Sequence, residues 1–228
     1  MIVPGSAPEL ALPLVVRIER ADPPSRTDAL EAAVRAVLTM LTSEEPDWQD
    51  AIRAWDGSRI RKVVRRARGA DWRRAESLPG ITIEHRTAQV RVYPPLPIDG
   101  WPPELARLQV GGTELADSRP PELPDAELPW IVMSADLDLS AGKAMAQAGH
   151  AAQLGWRAMR ARARRRWHDE QFRCNVRTAT PERWHSVLRS RVPKVRDAGF
   201  TEVAPGSVTA AFVPPRSRLR RGVATAQN

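Results

Sequence analysis

The sequence predicts an α/β protein in which one strand–helix unit occurs twice. Three observations predict it. Short apolar or alternating runs alternate with stretches of helical periodicity. The order of these elements in the second half repeats that in the first. Between the halves the composition changes: nine of the 21 prolines lie from Pro94 to Pro129. At 228 residues the chain has room for one large domain or two small ones, each with its own core.

The elements follow in order. PLVVRIER (13–20) alternates as a strand, and RTDALEAAVRAVLTML (26–41) has helical periodicity with Ser25 or Thr27 as a cap. PDWQDAIRAWD (46–56) is a second helix, with Pro46 near its start and Asp56-Gly57 ending it. RIRKVVRRA (59–67) is a strand and ADWRRAESL (70–78) a short helix. GITIEH (80–85) and QVRVYPP (89–95) are two closely spaced strands. Residues 96–128 are punctuated by Pro and Gly, which forbids a packed sheet or long helix. They are expected to form an ordered linker over the surface, with a helical turn or two around Pro103–Leu108.

Trp130–Asp136 then starts the second unit as a strand. Ser140–Arg166 is a helix or helix pair that becomes very basic after Trp156. FRCNVRTA (172–179) is a strand. TPERWHSVLRS (180–190) is a helix with Thr180 as N-cap, Pro181 at N1 and Glu182 in the first turn. VPKVR (192–196) and SVTAAFVPP (207–215) are the last strands, joined by the loop DAGFTEVAPGS (197–207). A basic tail, expected to be mobile, follows.

The halves can be laid over each other. KVVRRARGADWRR matches CNVRTATPERWHS, with Val64 on Val176 and Trp72 on Trp184. GITIEH matches RVPKVR, QVRVYPP matches TAAFVPP, and LPLVV (12–16) matches LPWIV (128–132). Two features occur only in the second copy: the helix face GKAMAQAGH and the DAGFTEVAPG loop. The expected organisation is therefore a degenerate repeat at 1–95, a Pro-rich linker at 96–128 and a chemistry-bearing copy at 129–228.

The charge divides the same way. Residues 1–100 carry 15 Lys/Arg against 14 Asp/Glu, residues 101–130 carry 2 against 6, and residues 131–228 carry 18 against 7. The excess in the last part points to a polyanionic partner, or to a solvated surface in an Arg-rich chain. No apolar run approaches the roughly 18 residues of a membrane helix. The N-terminus lacks the basic stretch of a signal peptide. With one cysteine, Cys174, there is neither an internal disulfide nor a cysteine-based metal cluster. A cytoplasmic location is expected.

Within the second copy, Lys143, Gln147 and His150 share one helix face at i, i+4 and i+7. Lys143 falls in the first turn, where the helix dipole disfavours a cation by about 0.3–1 kcal/mol. Gly142, Lys143, Ala146, Gln147, His150 and Ala151 form the pattern G-K-x-x-A-Q-x-x-H-A after the strand-ending pair Asp136-Leu137. Asp197, Ala198, Gly199, Thr201, Pro205, Gly206, Ser207 and Thr209 form D-A-G-x-T-x-x-x-P-G-S-x-T. In these two patterns residues 129–215 resemble the type 2 peptidyl-tRNA hydrolases.

The resemblance implies a three-layer unit with a mixed four-stranded sheet between helices, duplicated here as a pseudo-dimer within one chain that could stand as a monomer. It implies hydrolysis of the ester between peptide and tRNA, without cofactor or metal, with peptidyl-tRNA as partner. The family's catalytic lysine, aspartate and threonine fall on Lys143, Asp197 and Thr201. Gln147, His150, Gly199, Thr209 and Arg157 are the candidate substrate-binding residues. The chain departs from the family in Ala135, where a polar residue is common, in a compressed link after His150, and in a tail that replaces the C-terminal helix.

The residues themselves fit direct attack by water, since no Ser-His-Asp order and no metal-ligand cluster is visible. Asp197 could orient or deprotonate the water. Lys143, beside free helix N–H groups, could hold an oxyanion or a phosphate. Thr201 could hydrogen-bond the carbonyl or the ribose. Gly199 and Gly206 allow close backbone approach. His150 is expected mainly as a packed helix residue, and Trp156 and Trp167 as packing residues rather than base stackers. The arginines of 157–166 fit a solvated helix as well as a phosphate track. The alternative function is a catalytically silent tRNA- or RNA-binding module.

Overall fold

A computed structural model describes residues 8–199 and 202–215. The first unit runs β1 (Leu10–Arg17), α1 (Arg26–Leu41), a 3₁₀ turn (Pro46–Trp48), α2 (Gln49–Asp56), β2 (Arg61–Ala67), α3 (Gly69–Glu76), β3 (Ile81–His85) and β4 (Ala88–Val92). A short β5 (Leu96–Pro97) and α4 (Pro103–Ala106) follow. The second unit runs β6 (Trp130–Met133), α5 (Ala141–Ala158), α6 (Ala161–Asp169), β7 (Asn175–Thr178), α7 (Pro181–Arg189), β8 (Lys194–Arg196) and β9 (Val208–Val213). The basic tail after Pro215 lies outside the described residues.

Both sheets have one topology. The orders are β2-β1-β4-β3 and β7-β6-β9-β8. In each, the first two strands in sequence are parallel and the other pairings antiparallel. The parallel pair requires a crossover, which the helices between those strands supply. The first sheet gains a fifth strand, because β5 pairs antiparallel with the start of β1.

The equivalence extends to single bonds. Trp55 and Trp167 each donate their indole N–H to the carbonyl six residues on, of Arg61 at 2.9 Å and of Arg173 at 2.8 Å. Ile60 and Phe172, just before those arginines, both have positive φ, 48° and 57°. The register corrects the sequence overlay in two places. Leu14 pairs with Val64 and Val92, and Ile131 pairs with Val176 and Phe212. Leu14 therefore corresponds to Ile131, one residue on from the LPLVV–LPWIV overlay. Likewise Thr82 faces Arg91 and Lys194 faces Ala211, so GITIEH slides by one against RVPKVR. Side-chain direction decides such a register, because a one-residue slip in a strand exchanges the two faces.

The units meet through helices α1 and α5, which pack on each other and, in exchange, on β7 and β2 of the opposite unit. One apolar core spans both units, including Leu14, Val34, Trp55, Ile131, Met145 and Phe212. Separate clusters cover the outer faces, with Trp72 on Val15 in one unit and Trp184 on Val132 in the other. Each unit is thus a sheet between helix layers, and the inner helix layer is shared. Gly155 lets α5 close on β9: a Cβ there would lie 2.2 Å from the Phe212 ring. The α5–α6 break at Met159–Arg160 brings Trp167 onto Trp156, Phe172 and Phe212. Trp156 and Trp167 are accordingly packing residues.

The linker is ordered by contacts to both units. Arg66 bridges to Gln109, and Leu105 and Leu108 pack with Trp72 and Tyr93. It also supplies caps to both central helices. Asp117 accepts from the N–H and hydroxyl of Thr27, both at 2.8 Å, and Thr113 Oγ1 accepts from Gly142 N–H at 2.9 Å. Ser25 holds the N-cap position of α1 but makes no side-chain cap bond. Asp117 takes over that task.

Candidate active site

Asp197 follows β8 directly, and its backbone is fixed by two bonds: its N–H to the Ser207 carbonyl at 2.9 Å, and Gly206 N–H to its own carbonyl at 2.7 Å. Gly206 has φ of 83° and Gly199 of 79°, which suits glycine and lets the loop fold back over the strand end. Lys143 is the third residue of α5. Ser140 caps that helix through its side chain, with Lys143 N–H to Ser140 Oγ at 3.2 Å. Glu202 in turn accepts from Ser140 N–H at 2.9 Å and from its hydroxyl at 2.6 Å, tying the loop to the helix start.

The result is a compact charge cluster. Lys143 Nζ lies 2.6 Å from Asp197 Oδ2, and both side chains are largely buried. Gln147 Nε2 donates to the same oxygen at 2.7 Å, and Gly199 N–H donates to Oδ1 at 2.7 Å. Thr209, fully buried on β9, donates its hydroxyl to Gln147 Oε1 at 2.6 Å. Burial alone would raise the Asp197 carboxyl. Lys143, Gly199 N–H and Gln147 outweigh it and hold the group below the usual aspartate value. His150 is kept neutral, first by burial and then by the positive charges of Lys62, Lys143 and Arg157.

The sequence-derived residues therefore divide. Lys143, Gln147, His150 and Asp197 line one cavity of about 630 Å³. Gly199 contributes its backbone N–H to Asp197. Thr209 reaches Asp197 only through Gln147 and does not line the cavity. Arg157 also lies off the cavity lining; it pairs with Asp56 at 2.6 Å across the unit interface. Thr201 lies outside the described residues. The expectation of free helix N–H groups beside Lys143 is corrected: Thr113 and Ser140 occupy those of Gly142 and Lys143. An incoming oxyanion would meet the ammonium, not the helix end.

Sequence reasoning missed three contributors. Glu202 closes the loop onto α5, Thr113 caps it from the linker, and β2 of the first unit forms the far cavity wall with Ile60, Lys62 and Val64. Gly149 was a signal for the last of these. A Cβ there would lie 2.8 Å from Val37 and 3.4 Å from Lys62 Cδ, so the glycine marks where the other unit presses on α5.

Among the described residues, Asp28, Glu31 and His85 also bring their ligand atoms within 4.8 Å of one another. Their bonds are already taken. Glu31 accepts from Arg177 at 2.7 Å and Val176 N–H at 3.1 Å and meets His85 Nε2 at 2.9 Å, while Asp28 accepts from the Thr87 hydroxyl at 2.7 Å. No helix among the described residues is long and apolar enough to cross a membrane.

Residues 129–220 match the family model described as peptidyl-tRNA hydrolase PTH2. The match starts one residue before β6 and takes in α5, the Asp197 loop and β9, so every described residue of the charge cluster falls within it. Residues 129–220, in the C-terminal half of this chain, are thus similar to the PTH2 peptidyl-tRNA hydrolase family.

Proposed function

We propose that the chain hydrolyses the ester joining a peptide to the 3′ end of tRNA, and that Lys143 and Asp197 carry the reaction. The observation that supports this most is the 2.6 Å Lys143–Asp197 contact on the wall of a cavity large enough for an aminoacyl ester. A carboxylate has about four acceptor sites. In Asp197 Oδ2 takes Lys143 and Gln147, and Oδ1 takes Gly199 N–H, which leaves a position on Oδ1 for water.

The reaction then balances within the pair. Water held by Asp197 attacks the carbonyl carbon, and the carbonyl oxygen takes up negative charge beside the Lys143 ammonium. Asp197 accepts the water proton as the C–O bond forms. Lys143 gives a proton to the leaving ribose oxygen, and the proton on Asp197 passes to Lys143 across their contact. A carboxyl held below its usual value is a weak base at rest. It serves chiefly to orient water, and takes the proton only as bond formation makes the attacking water acidic. Thr201 serves the carbonyl or the ribose. Gln147 and Thr209 position Asp197, and His150 offers a neutral ring to the substrate.

The organisation that goes with this reading is a degenerate repeat at 1–95, a linker at 96–128 and a catalytic copy at 129–228. The first unit takes the place of a second subunit in the cytoplasm. The test is release of N-blocked amino acid from tRNA by the pure chain. Turnover should be strongly reduced in Lys143→Ala and Asp197→Ala; equal rates in the three proteins would refute the proposal.

A further inference from the structure

The cavity beside Lys143 and Asp197 has its far wall in the other unit. Strand β2 and the residues leading into it contribute Ile60, Lys62 and Val64, opposite Ala146, His150 and Leu154 of α5. Lys62 is the unusual member. The chain holds 32 arginines and only three lysines, and two of the three, Lys62 and Lys143, line this one cavity. Lysine is a compact point charge on a slim stem, whereas arginine is a broad planar fork. A slim stem is what this wall admits. The Lys62 stem lies against Gly149, where a Cβ would already stand 3.4 Å from Lys62 Cδ.

The ammonium is buried, and no carboxylate touches it among the described residues. Nζ donates to Gln153 Oε1 at 2.6 Å and to the Ile60 carbonyl at 3.3 Å, and lies 4.7 Å from the centroid of the Trp55 ring. Its nearest negative partner is indirect: Gln153 Nε2 donates to Asp56, whose charge Arg157 already answers. A buried cation with only neutral ligands is costly to keep. Ile60, whose carbonyl steadies it, is β-branched and sits at φ of 48°, a conformation such residues rarely adopt. Burial also pulls the Lys62 ammonium well below its ordinary value, which an anion alongside would reverse.

The repeat provides the comparison. Counting from the matched Trp55–Arg61 and Trp167–Arg173 bonds, Lys62 corresponds to Cys174. Cys174 is buried and uncharged against α1, the helix without the catalytic lysine. The buried cation is present only where the wall faces Lys143.

We propose that Lys62, supplied by the degenerate first unit, is a substrate-binding residue that receives a backbone phosphate of the tRNA 3′ end while the ester lies at Lys143 and Asp197. The first unit is then a working half of the cleft. This inference rests on the hydrolase reading for its substrate, and its test separates the two.

The probe is a tRNA 3′-terminal trinucleotide, used with the full chain in two forms. One has natural phosphodiesters, and the other has a neutral methylphosphonate before the terminal adenosine. Calorimetry on the wild type should show the neutral form binding about tenfold more weakly, the loss of one charge-assisted contact. In Lys62→Met, which keeps the stem against Gly149, and in Lys62→Gln, the two forms should bind alike. With N-acetylaminoacyl-tRNA, Lys62→Met should raise KM by about the same factor and leave kcat within about twofold. Equal binding of both probes to the wild type would overturn the proposal without any variant. So would a methylphosphonate penalty that persists in the Lys62 variants, or a fall in kcat with KM unchanged. Wild type that discriminates between the probes but turns over no substrate would refute the hydrolase reading and leave this site standing.

Discussion

Asp197→Asn is the substitution whose consequence follows most directly from the geometry. The carboxylate has three donors aimed at it: Lys143 and Gln147 on Oδ2 and Gly199 N–H on Oδ1. Asparagine has one acceptor oxygen and one NH₂. If its oxygen faces Lys143 and Gln147, its NH₂ meets the Gly199 N–H; if it is flipped, the NH₂ meets the Lys143 ammonium. Either orientation sets donor against donor and removes the charge that holds Lys143. The variant also loses the group that takes the water proton. Removing a positioned base costs about 10²–10⁴ in rate, or roughly 3–5.5 kcal/mol of barrier. Ester hydrolysis on N-acetylaminoacyl-tRNA should fall by that range in kcat. The thermal midpoint should shift by only a few degrees, since the cluster lies at the cavity edge. Activity within threefold of wild type, in a protein that melts normally, would mean that Asp197 neither orients water nor relays a proton.

Two further outcomes concern the joint between the units. Glu31→Ala leaves Arg177 and Val176 N–H without their carboxylate in a buried setting, a loss of about 3–5 kcal/mol. At about 2–4 °C per kcal/mol this lowers the melting midpoint by on the order of 10 °C, read by circular dichroism. Burial pushes the Glu31 carboxyl up, but His85, Arg177 and Val176 N–H hold it below its usual value. The advantage over the variant is therefore full above the unfolded carboxylate value of about 4.3 and is lost as pH falls through the lower folded value. Melts at pH 6 and pH 3 check the sign, and an unchanged difference between them counts against it. Cys174 is buried with its thiol pushed well up, first by burial and then by Glu31. It should resist iodoacetamide in the native protein and react once the protein is denatured, as mass spectrometry would read; rapid native labelling would show that the joint opens.

Much of this architecture was legible because its signals are local. Thr180 caps α7 and Pro181 opens it, as the T-P-E sequence implies. The two-residue link from His85 to Ala88 already told that the first copy has no counterpart of the Asp197 loop. Lys143 and Asp197 stand more than 50 residues apart, and only the family pattern brought them together in advance. What stayed hidden is long-range. No residue near Thr113 or Asp117 announces that a proline-rich linker caps two helices. Nothing around Lys62 says that β2 closes a cavity in the other unit. The break at Met159–Arg160 carries neither Gly nor Pro; the aromatic cluster around Trp167 sets it, and those partners come from β9 and from the turn before β7.

The matched positions also show how the first unit is built where the second has its ion pair. Asp28 and Lys143 are both the third residue after a serine at the N-cap position, Ser25 and Ser140. Counting from Thr82 and Lys194, His85 falls where Asp197 does. The ion pair of the second unit is thus replaced in the first by groups of different charge. A carboxylate at the first turn of α1 also agrees with the helix dipole, whereas Lys143 opposes it. Asp28 and Glu31 hold Thr87, His85 and Arg177, and the space corresponding to the cavity at Lys143 is only about 240 Å³, lined by both arginines and carboxylates. Three arginines, Arg35, Arg86 and Arg177, surround the Asp28–Glu31–His85 group, which makes it a poor seat for a cation and a good clasp between α1, β3 and β7. Where the second unit holds the Lys143–Asp197 pair on its cavity wall, the first holds the Glu31–Arg177 bond at the joint between the units.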